Sequence, residues 1–238
     1  MISLVPNHTE QQWQRLRTAR RIFITATDTE VGKTHTSALL LNALAAEGRR
    51  MAYLKPAETG CESTTGRLQS AEIATILRMA HGAVGSRVAC PYRYEKPLAP
   101  YTAAMHSGAL IELARLDRTL AELEAEADCV VIEGAGGLMV PVTTNHTWLD
   151  LIVHWQAEPV VVIGNKLGCV SHTTLTERVL RQAGYLRTAY VLNDCTDSHS
   201  AATQSNRWTL EATLGYSLLA HLRYGQMTLD IPPDACDE

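Results

Sequence analysis

The feature that most constrains the fold is the segment TATDTEVGKT, residues 25–34, which joins two different hydrophobic patterns. Residues 22–26, which lead into this segment and overlap its first two positions, are apolar or β-branched on both faces, which predicts a buried strand. Residues 33–47 after it predict a helix with one covered face. A Gly-Lys-Thr triplet between a buried strand and a helix is typical of a phosphate-binding loop. The triplet also occurs by chance, so this interpretation depends on the position and on the motifs below.

Lys33 and Thr34 would carry the chemistry of such a loop. Backbone N–H groups of the loop and of the helix N-terminus form a positive concavity that accepts phosphate oxygens. We expect Lys33 to reach the β- and γ-phosphates of a nucleotide and the Thr34 hydroxyl to bind Mg²⁺.

The rest of the chain alternates short apolar runs with helical patterns. The runs predict further strands at 51–54, 129–132, 160–163 and 189–192, and the helical patterns lie at 71–80, 110–127, 173–183 and 201–213. This alternation predicts an α/β fold in which a parallel β-sheet is flanked by helices on both faces. The proline-containing segment 84–107 is predicted to be a long loop. We expect one domain over 21–224, with an N-terminal extension or short helix (1–20, held by Trp13 and Leu16) and a flexible tail (225–238).

Composition excludes several classes of protein. The 238 residues carry 21 Lys and Arg against 25 Asp and Glu, a net charge of −4, so no basic excess is available for nucleic acid or an anionic membrane. No apolar run reaches the roughly 18–20 residues of a membrane span, and the N-terminus lacks the apolar region of a secretory signal. We expect a cytoplasmic protein. The scattered cysteines suit free thiols better than a zinc site or disulfides: Cys61, Cys90, Cys129, Cys169, Cys195 and Cys236.

Two charged residues directly follow predicted strands. Lys55 follows the run 51–54, and Glu133 follows 129–132 before a Gly-rich turn. Open parallel sheets bind ligands at the carboxyl ends of their strands, which favours functional roles for both side chains over solvated surface charges.

Together these motifs resemble the dethiobiotin synthase family over residues 21–219. The matches, in the family's order, are the phosphate loop, Lys55-Pro56 with Thr59-Gly60, Glu133 to Gly137, Lys166 to Cys169 with His172, and Asn193-Asp194. The resemblance implies a P-loop NTPase-like fold, a homodimer, and closure of 7,8-diaminononanoate into a cyclic urea. The implied co-substrates are CO2 or bicarbonate and ATP, with Mg²⁺ as cofactor, and the implied intermediates are a carbamate and a phosphorylated carbamate.

The resemblance also implies roles for individual residues. The catalytic residues would be Lys33, Lys55 and Thr29, and the metal ligands would be Thr34, Glu72 and Glu133. Nucleotide would be held by Glu30, Val31, Gly32, Lys33, Thr34, Gly136 and Asn193, the last of these binding adenine. Substrate would be held by Thr29, Lys55, Thr59, Gly168, Cys169, Val170 and Ser171. The last four would bind its remote carboxylate across the dimer interface, and we predict Ser171 as the N-cap of their helix.

The sequence departs from the family pattern at four places. Ala26 replaces the first loop glycine, which would cost roughly 1 kcal/mol at a positive φ and little at a negative one. Glu72 stands where Asp is usual, Tyr101 where many members carry His, and residues 215–218 lack the usual proline.

Two other functions are open, and the departures at Ala26 and Glu72 favour the first of them. One is a catalytically weakened relative that acts as a nucleotide- or ligand-binding module. The other is a ParA-like partner-switching ATPase, a group that carries an extra lysine early in the loop. Asp28 occupies that position here, which argues against the second alternative.

Overall fold

A seven-stranded parallel sheet forms the centre of the computed structural model, which describes residues 8–64, 66–198 and 200–230. The strands along the chain are β1 (Arg21–Ala26), β2 (Met51–Leu54), β3 (Ala57–Thr59), β4 (Glu62–Thr64), β5 (Arg67–Gln69), β6 (Val88–Ala89), β7 (Tyr92–Tyr94), β8 (Cys129–Glu133), β9 (Glu158–Gly164), β10 (Ala189–Asn193) and β11 (Ala220–Leu222). The order in the sheet is β11-β10-β9-β1-β8-β2-β6. The predicted α/β fold is confirmed.

Helices cover both faces of this sheet. They are α1 (His8–Thr18), α2 (Lys33–Ala46), α3 (Ala71–Val84), α4 (Pro100–Ser107), α5 (Leu113–Glu126), α6 (Trp148–His154), α7 (Cys169–Gln182) and α8 (Ala201–Leu214). Two apolar clusters, one for each face of the sheet, form the core. Because the central strands are buried on both faces, their residues are aliphatic rather than alternating.

Strand β1 lies at the centre, paired with β8 on one side and β9 on the other. Ile24 is opposite Glu133, and Ala26 is opposite Val162. This register places the segment after β1 beside the last residue of β8. The carboxyl ends of the central strands therefore meet at one edge of the sheet, next to the N-terminus of α2.

The N-terminal extension contains helix α1, whose Trp13 and Leu16 are buried in the core. Gln12 of the same helix donates a hydrogen bond to the Ser217 carbonyl at 3.1 Å. At the other end of the chain, the carbonyl of Gln226 lies 2.7 Å from His35 Nε2. Residues 1–7 and 231–238 of the predicted extension and tail lie outside the described residues.

The prediction of a long loop over 84–107 is wrong. Strands β6 and β7 and helix α4 lie within this segment. Strand β7 pairs with β3 away from the main sheet, and α4 begins at Pro100, where the fixed φ of proline suits the first helical turn. Two- and three-residue strands carry too few positions for a hydrophobic period, so the pattern missed them.

Within the described parts of the chain, no helix is both long and apolar enough for a membrane crossing. The cysteines described there are free: Cys61, Cys90, Cys129 and Cys169 are buried, and Cys195 is exposed. Cys236 lies outside the described residues.

Candidate active site

The predicted phosphate loop forms a tight turn between β1 and α2. The Thr27 amide donates to the Val162 carbonyl at 3.0 Å, which holds the start of the loop on β9. Gly32 has a φ of 89° and precedes the first helical residue, Lys33. A Cβ at Gly32 would overlap the side-chain amide of Asn193, so glycine is required both by the backbone and by the close approach.

Ala26 does not strain this loop. In the described chain, Glu30 and Gln156 are the non-glycine residues with positive φ, and Ala26 is instead the last residue of β1. Alanine in place of the family's glycine therefore costs little stability here, since extended backbone accepts any Cβ.

The loop opens onto a cavity of about 550 Å³ that brings part of the predicted site together. Its polar lining includes seven residues of the predicted site: Thr29, Glu30, Lys33, Lys55, Thr59, Glu72 and Gly136. The segment 97–100 lines the same cavity, so the segment predicted to be a loop does contribute to the site. Gly136 has a φ of 71°, which a side chain would oppose.

Glu133 lies beneath this cavity and is fully buried. Its Oε1 accepts a hydrogen bond from Thr34 Oγ1 at 2.8 Å, and its Oε2 accepts from Ser37 Oγ at 2.6 Å and Tyr53 OH at 2.9 Å. Burial opposes the charge, but Lys55 and these hydroxyls outweigh it and hold the pKa of Glu133 below its usual value. Glu133 is therefore a carboxylate with fixed oxygens.

Sequence reasoning missed Ser37 and Tyr53 as partners of Glu133. Ser37 follows Thr34 by three residues on α2, so both hydroxyls lie on one helix face. Tyr53 places a phenol in an otherwise apolar strand, and its pKa is raised well above the usual value by burial and by Glu133. Those two signals could have identified them.

Lys55 is buried between the two predicted metal carboxylates. Its Nζ donates to the Gly134 carbonyl at 3.0 Å and to Glu133 Oε1 at 3.3 Å, and it forms an ion pair with Glu72. Burial acts to lower the pKa of Lys55, but the two carboxylates outweigh it and raise the pKa above its usual value. Lys55 is thus a permanent cation with one side toward the cavity.

The pKa of Lys33 is shifted in the opposite direction from that of Lys55. Burial and the nearby Lys55 lower its pKa, and its Nζ donates a hydrogen bond to the Asp28 carbonyl at 3.4 Å. Asp28 itself forms an ion pair with Lys166 at 2.6 Å. Within the described residues, Lys33 has no carboxylate partner in an ion pair, whereas Lys55 has two. Two ammonium groups on one cavity, one of them unpaired in this way, favour the binding of an anion.

Glu72 lies in the first turn of α3, which Ser70 caps by accepting from the Ile73 amide at 2.9 Å. Burial and repulsion from Glu133 raise the pKa of Glu72 to about 7, with Lys55 acting against this.

The side chains of Thr34, Glu133 and Glu72 fit a Mg²⁺ ion whose remaining coordination positions are filled by water or substrate phosphates. Thr34 Oγ1 and Glu133 Oε1 lie 2.8 Å apart, and Glu72 adds a third oxygen-bearing side chain on the cavity. Among the described residues, no group of three His, Cys, Asp or Glu side chains could hold a metal by itself. This agrees with Mg²⁺ chemistry, in which one or two carboxylates are completed by water and substrate phosphates.

A second cavity of about 460 Å³ lies on the other side of Gly32. Asn193 lines it and donates from Nδ2 to the Val31 carbonyl at 2.9 Å. Asp194 follows it, accepts from Asn165 Nδ2 at 2.6 Å, and lies 3.0 Å from His221 Nε2. The cavity also contains residues that sequence reasoning missed, without a motif to mark them: His35, Arg78, Arg223 and Tyr224.

The four residues Gly168, Cys169, Val170 and Ser171 do not line either cavity. The prediction that Ser171 caps their helix is wrong, because α7 begins at Cys169 after Gly168, whose φ of 91° ends the preceding turn. Cys169 is buried, and burial raises the pKa of its thiol. Beside α7 lies an apolar groove of about 410 Å³ that includes the exposed side chains of Met139 and Leu175.

Sequence comparison identifies the family. The ATP-dependent dethiobiotin synthetase of Escherichia coli K12 is 36% identical over 75% of this chain and 79% of its own length. The enzyme of the same name from Legionella pneumophila Corby is 33% identical over 89% of this chain and 97% of its own length. The chain belongs to the dethiobiotin synthetase family. A family model described as an AAA domain matches residues 20–228 of this member.

Solved structures support the fold of this family member. The ParA family ATPase of Chlorobium tepidum matches with a TM-score of 0.52 at 13% identity, over 87% of this chain and 84% of that one. The septum site-determining protein MinD of Pyrococcus horikoshii, complexed with Mg-ADP, matches with a TM-score of 0.53 at 16% identity, over 86% and 81%. These likenesses concern the fold alone and confirm the predicted P-loop NTPase-like architecture.

Proposed function

We propose that this chain is an ATP-dependent dethiobiotin synthetase of biotin biosynthesis that closes 7,8-diaminononanoate into a cyclic urea. One amine adds to CO2, supplied directly or from bicarbonate, and loses a proton to form a carbamate. A carbamate oxygen attacks the γ-phosphate of ATP and releases ADP. The second amine then attacks the carbon of the phosphorylated carbamate, phosphate leaves, and the attacking nitrogen loses a proton. The observation that carries the proposal is the convergence of Lys33, Lys55, Thr29 and Thr59 on one cavity beside the phosphate loop.

The two lysines suit chemistry that develops negative charge. A carbamate and a transferring phosphoryl group repel each other, and fixed cations offset that repulsion. We assign Lys33 to the phosphates and Lys55 with Thr59 to the carbamate. Thr29 completes the catalytic set at the junction of the two.

We assign the phosphates of the nucleotide to the phosphate loop and its adenine to the second cavity. Backbone amides of Glu30, Val31 and Gly32, with Gly136, would hold the phosphates, and Asn193 would bind adenine in the second cavity. Thr34, Glu133 and Glu72 would hold Mg²⁺, which supplies neutralisation of phosphate charge when bound. Support comes from the oxygen donors already gathered there and from the fixed orientation of Glu133.

The remaining substrate contacts are assigned to a second copy of the chain. The segment Gly168 to Ser171 at the N-terminus of α7 suits a carboxylate through its backbone amides, although the Cys169 amide already donates to the Lys166 carbonyl at 3.2 Å. Within one chain this segment does not line the Lys55 cavity. The apolar groove beside α7 supports a homodimer that brings them to the partner's cavity. We further propose a cytoplasmic location, and a synthetase domain over 21–224 with an N-terminal extension (1–20) and a C-terminal tail (225–238), of which residues 231–238 lie outside the described residues.

The test is to incubate the protein with 7,8-diaminononanoate, bicarbonate and Mg-ATP while following ADP and product mass. We expect substrate-dependent ADP and a product with the mass of dethiobiotin. Binding of ATP without any substrate-dependent ADP would instead support the weakened binding module.

Lys33→Ala is expected to abolish turnover with little change in thermal stability, because we assign its ammonium group to the phosphates and its hydrogen bond to the Asp28 carbonyl is long, at 3.4 Å. Arg207→Ala on α8, an exposed cation outside both cavities, is the matched control and should keep full turnover. Near-normal turnover in Lys33→Ala would refute the assignment of the loop.

A further inference from the structure

A second buried carboxylate, Glu58, lies close to the site and has no role in the chemistry above. It is the middle residue of β3 and is 5% exposed. Buried carboxylates are retained where they make specific hydrogen bonds, because desolvation of the charge is costly. Its partners therefore indicate what it does.

Glu58 binds the N-terminus of α3. Its Oε1 accepts from the backbone amide of Glu72 at 3.2 Å, and its Oε2 accepts from the hydroxyl of Ser70. That hydroxyl in turn accepts from the Ile73 amide at 2.9 Å. A carboxylate at this position satisfies amides that the helix leaves free and is favoured by the helix dipole.

The same contacts connect two separate elements of the site. Glu58 follows Lys55 by three residues and precedes Thr59 on β3, whereas Glu72 belongs to α3. The side chain of Glu72 meets Lys55 in an ion pair across these elements. Glu58 fixes the backbone from which Glu72 extends, so the position of the Glu72 carboxylate depends on it.

We propose that Glu58 is a positioning residue that holds the first turn of α3 and thereby sets Glu72 for Mg²⁺ binding. The inference rests on the proposed function of Glu72, but its test does not need turnover. Partners that orient metal ligands typically change metal affinity by about 10- to 100-fold when removed.

The experiment measures ATP binding by calorimetry while MgCl2 is varied, in the full-length protein. Glu58→Ala should raise the half-saturating Mg²⁺ concentration by about 10-fold, as loss of a ligand-orienting partner does. Affinity for ATP without Mg²⁺ should stay within about 2-fold. Glu58→Gln, which keeps an acceptor for the Glu72 amide, should recover most of the loss. Glu62→Ala on β4, an exposed carboxylate nearby in sequence, is the control and should match the parent protein.

A double-mutant cycle separates positioning from a general structural effect. If Glu58 acts through Glu72, adding Glu58→Ala to Glu72→Ala should change the Mg²⁺ requirement by less than about 2-fold. The proposal would be overturned if the double variant needed about 10-fold more Mg²⁺ than Glu72→Ala. It would also be overturned if Glu58→Ala had the Mg²⁺ requirement of the parent protein.

Should Glu58→Ala fail to fold, Ser70→Ala removes the other half of the contact and is expected to raise the Mg²⁺ requirement in the same direction. A parental Mg²⁺ requirement in Ser70→Ala would overturn the proposal equally. If the parent protein forms no dethiobiotin in the activity test, the proposed function is refuted. The proposal for Glu58 is still tested, since its readouts are binding measurements.

Discussion

At the scale of single residues, Glu133 determines how the site is organised. It accepts from the hydroxyls of Thr34, Ser37 and Tyr53 and from the ammonium of Lys55 without exposure to solvent. Only an ionised carboxylate satisfies four donors at once, because a protonated one would place its own hydrogen against one of them. The charge of Glu133 and the geometry of Lys55 are therefore interdependent.

Glu133→Gln should test this interdependence. The amide is expected to weaken Mg-ATP binding about 10-fold, as metal-site substitutions do, and to destabilise the fold by about 1–3 kcal/mol, because donors lose their charged acceptor. Calorimetry and urea unfolding measure the two effects. Glu126→Gln, an exposed carboxylate near the end of α5, is the matched control. An unchanged Mg-ATP affinity would remove Glu133 from the metal site.

Ala26 gives a residue-scale prediction in which stability changes and activity does not. Since it occupies buried extended backbone at the end of β1, Ala26→Gly should lower the free energy of unfolding by about 0.5–1 kcal/mol through the added freedom of glycine. Turnover should remain at the parental level, because the phosphate-binding backbone begins after it. A sharp loss of turnover at parental stability would show that the alanine methyl group shapes the loop.

At the scale of elements, helices α7 and α8 begin in two different ways, one set by backbone conformation and the other by a side-chain cap. Helix α8 begins after Ser200, whose hydroxyl accepts from the Thr203 amide at 3.2 Å, whereas α7 begins after Gly168 in a left-handed conformation. Ser200→Ala should therefore cost about 1 kcal/mol of stability, as N-cap losses do. Ser171→Ala should cost less than about 0.5 kcal/mol, the range of ordinary surface changes. Thermal unfolding compares the pair, and an equal loss in both would contradict the observed start of α7.

The same elements show what sequence could predict. The strands that end at Glu133 and Asn193, and the strand that Lys55 follows, were predicted because buried parallel strands are continuous apolar runs, and their ends predicted the site. Strand β7 and helix α4 were not, since pairing of Tyr92 with Ala57 is a tertiary contact with no local period. The hydroxyls around Glu133 and the position of Glu58 depend on how α2 and α3 pack, which spacing along the chain does not specify.

At the scale of the whole molecule, one chain holds an incomplete form of the proposed site. The cavity with Lys55 has cations for a carbamate and phosphate, but the α7 amides assigned to the remote carboxylate do not line it. In the apolar groove beside α7, Met139 is 54% and Leu175 59% exposed. Exposed apolar side chains that share one groove indicate an interaction surface, whereas exposed side chains that stand alone do not. Pairing of two such grooves would bury this surface, and the proposed homodimer requires that it also bring each α7 toward the partner's cavity.

Replacing both groove residues by charges, Met139→Glu with Leu175→Glu, should therefore convert a dimer into a monomer, because burial of the two carboxylates is costly. Analytical ultracentrifugation measures the change, and KM for 7,8-diaminononanoate should rise while ATP binding is retained. Leu186→Glu, which is equally exposed at 62% but lies outside the groove, is the control. A parent protein that sediments as a monomer, or a double variant that remains dimeric with parental KM, would exclude the groove as the interface. The α7 amides would then require another route to the substrate.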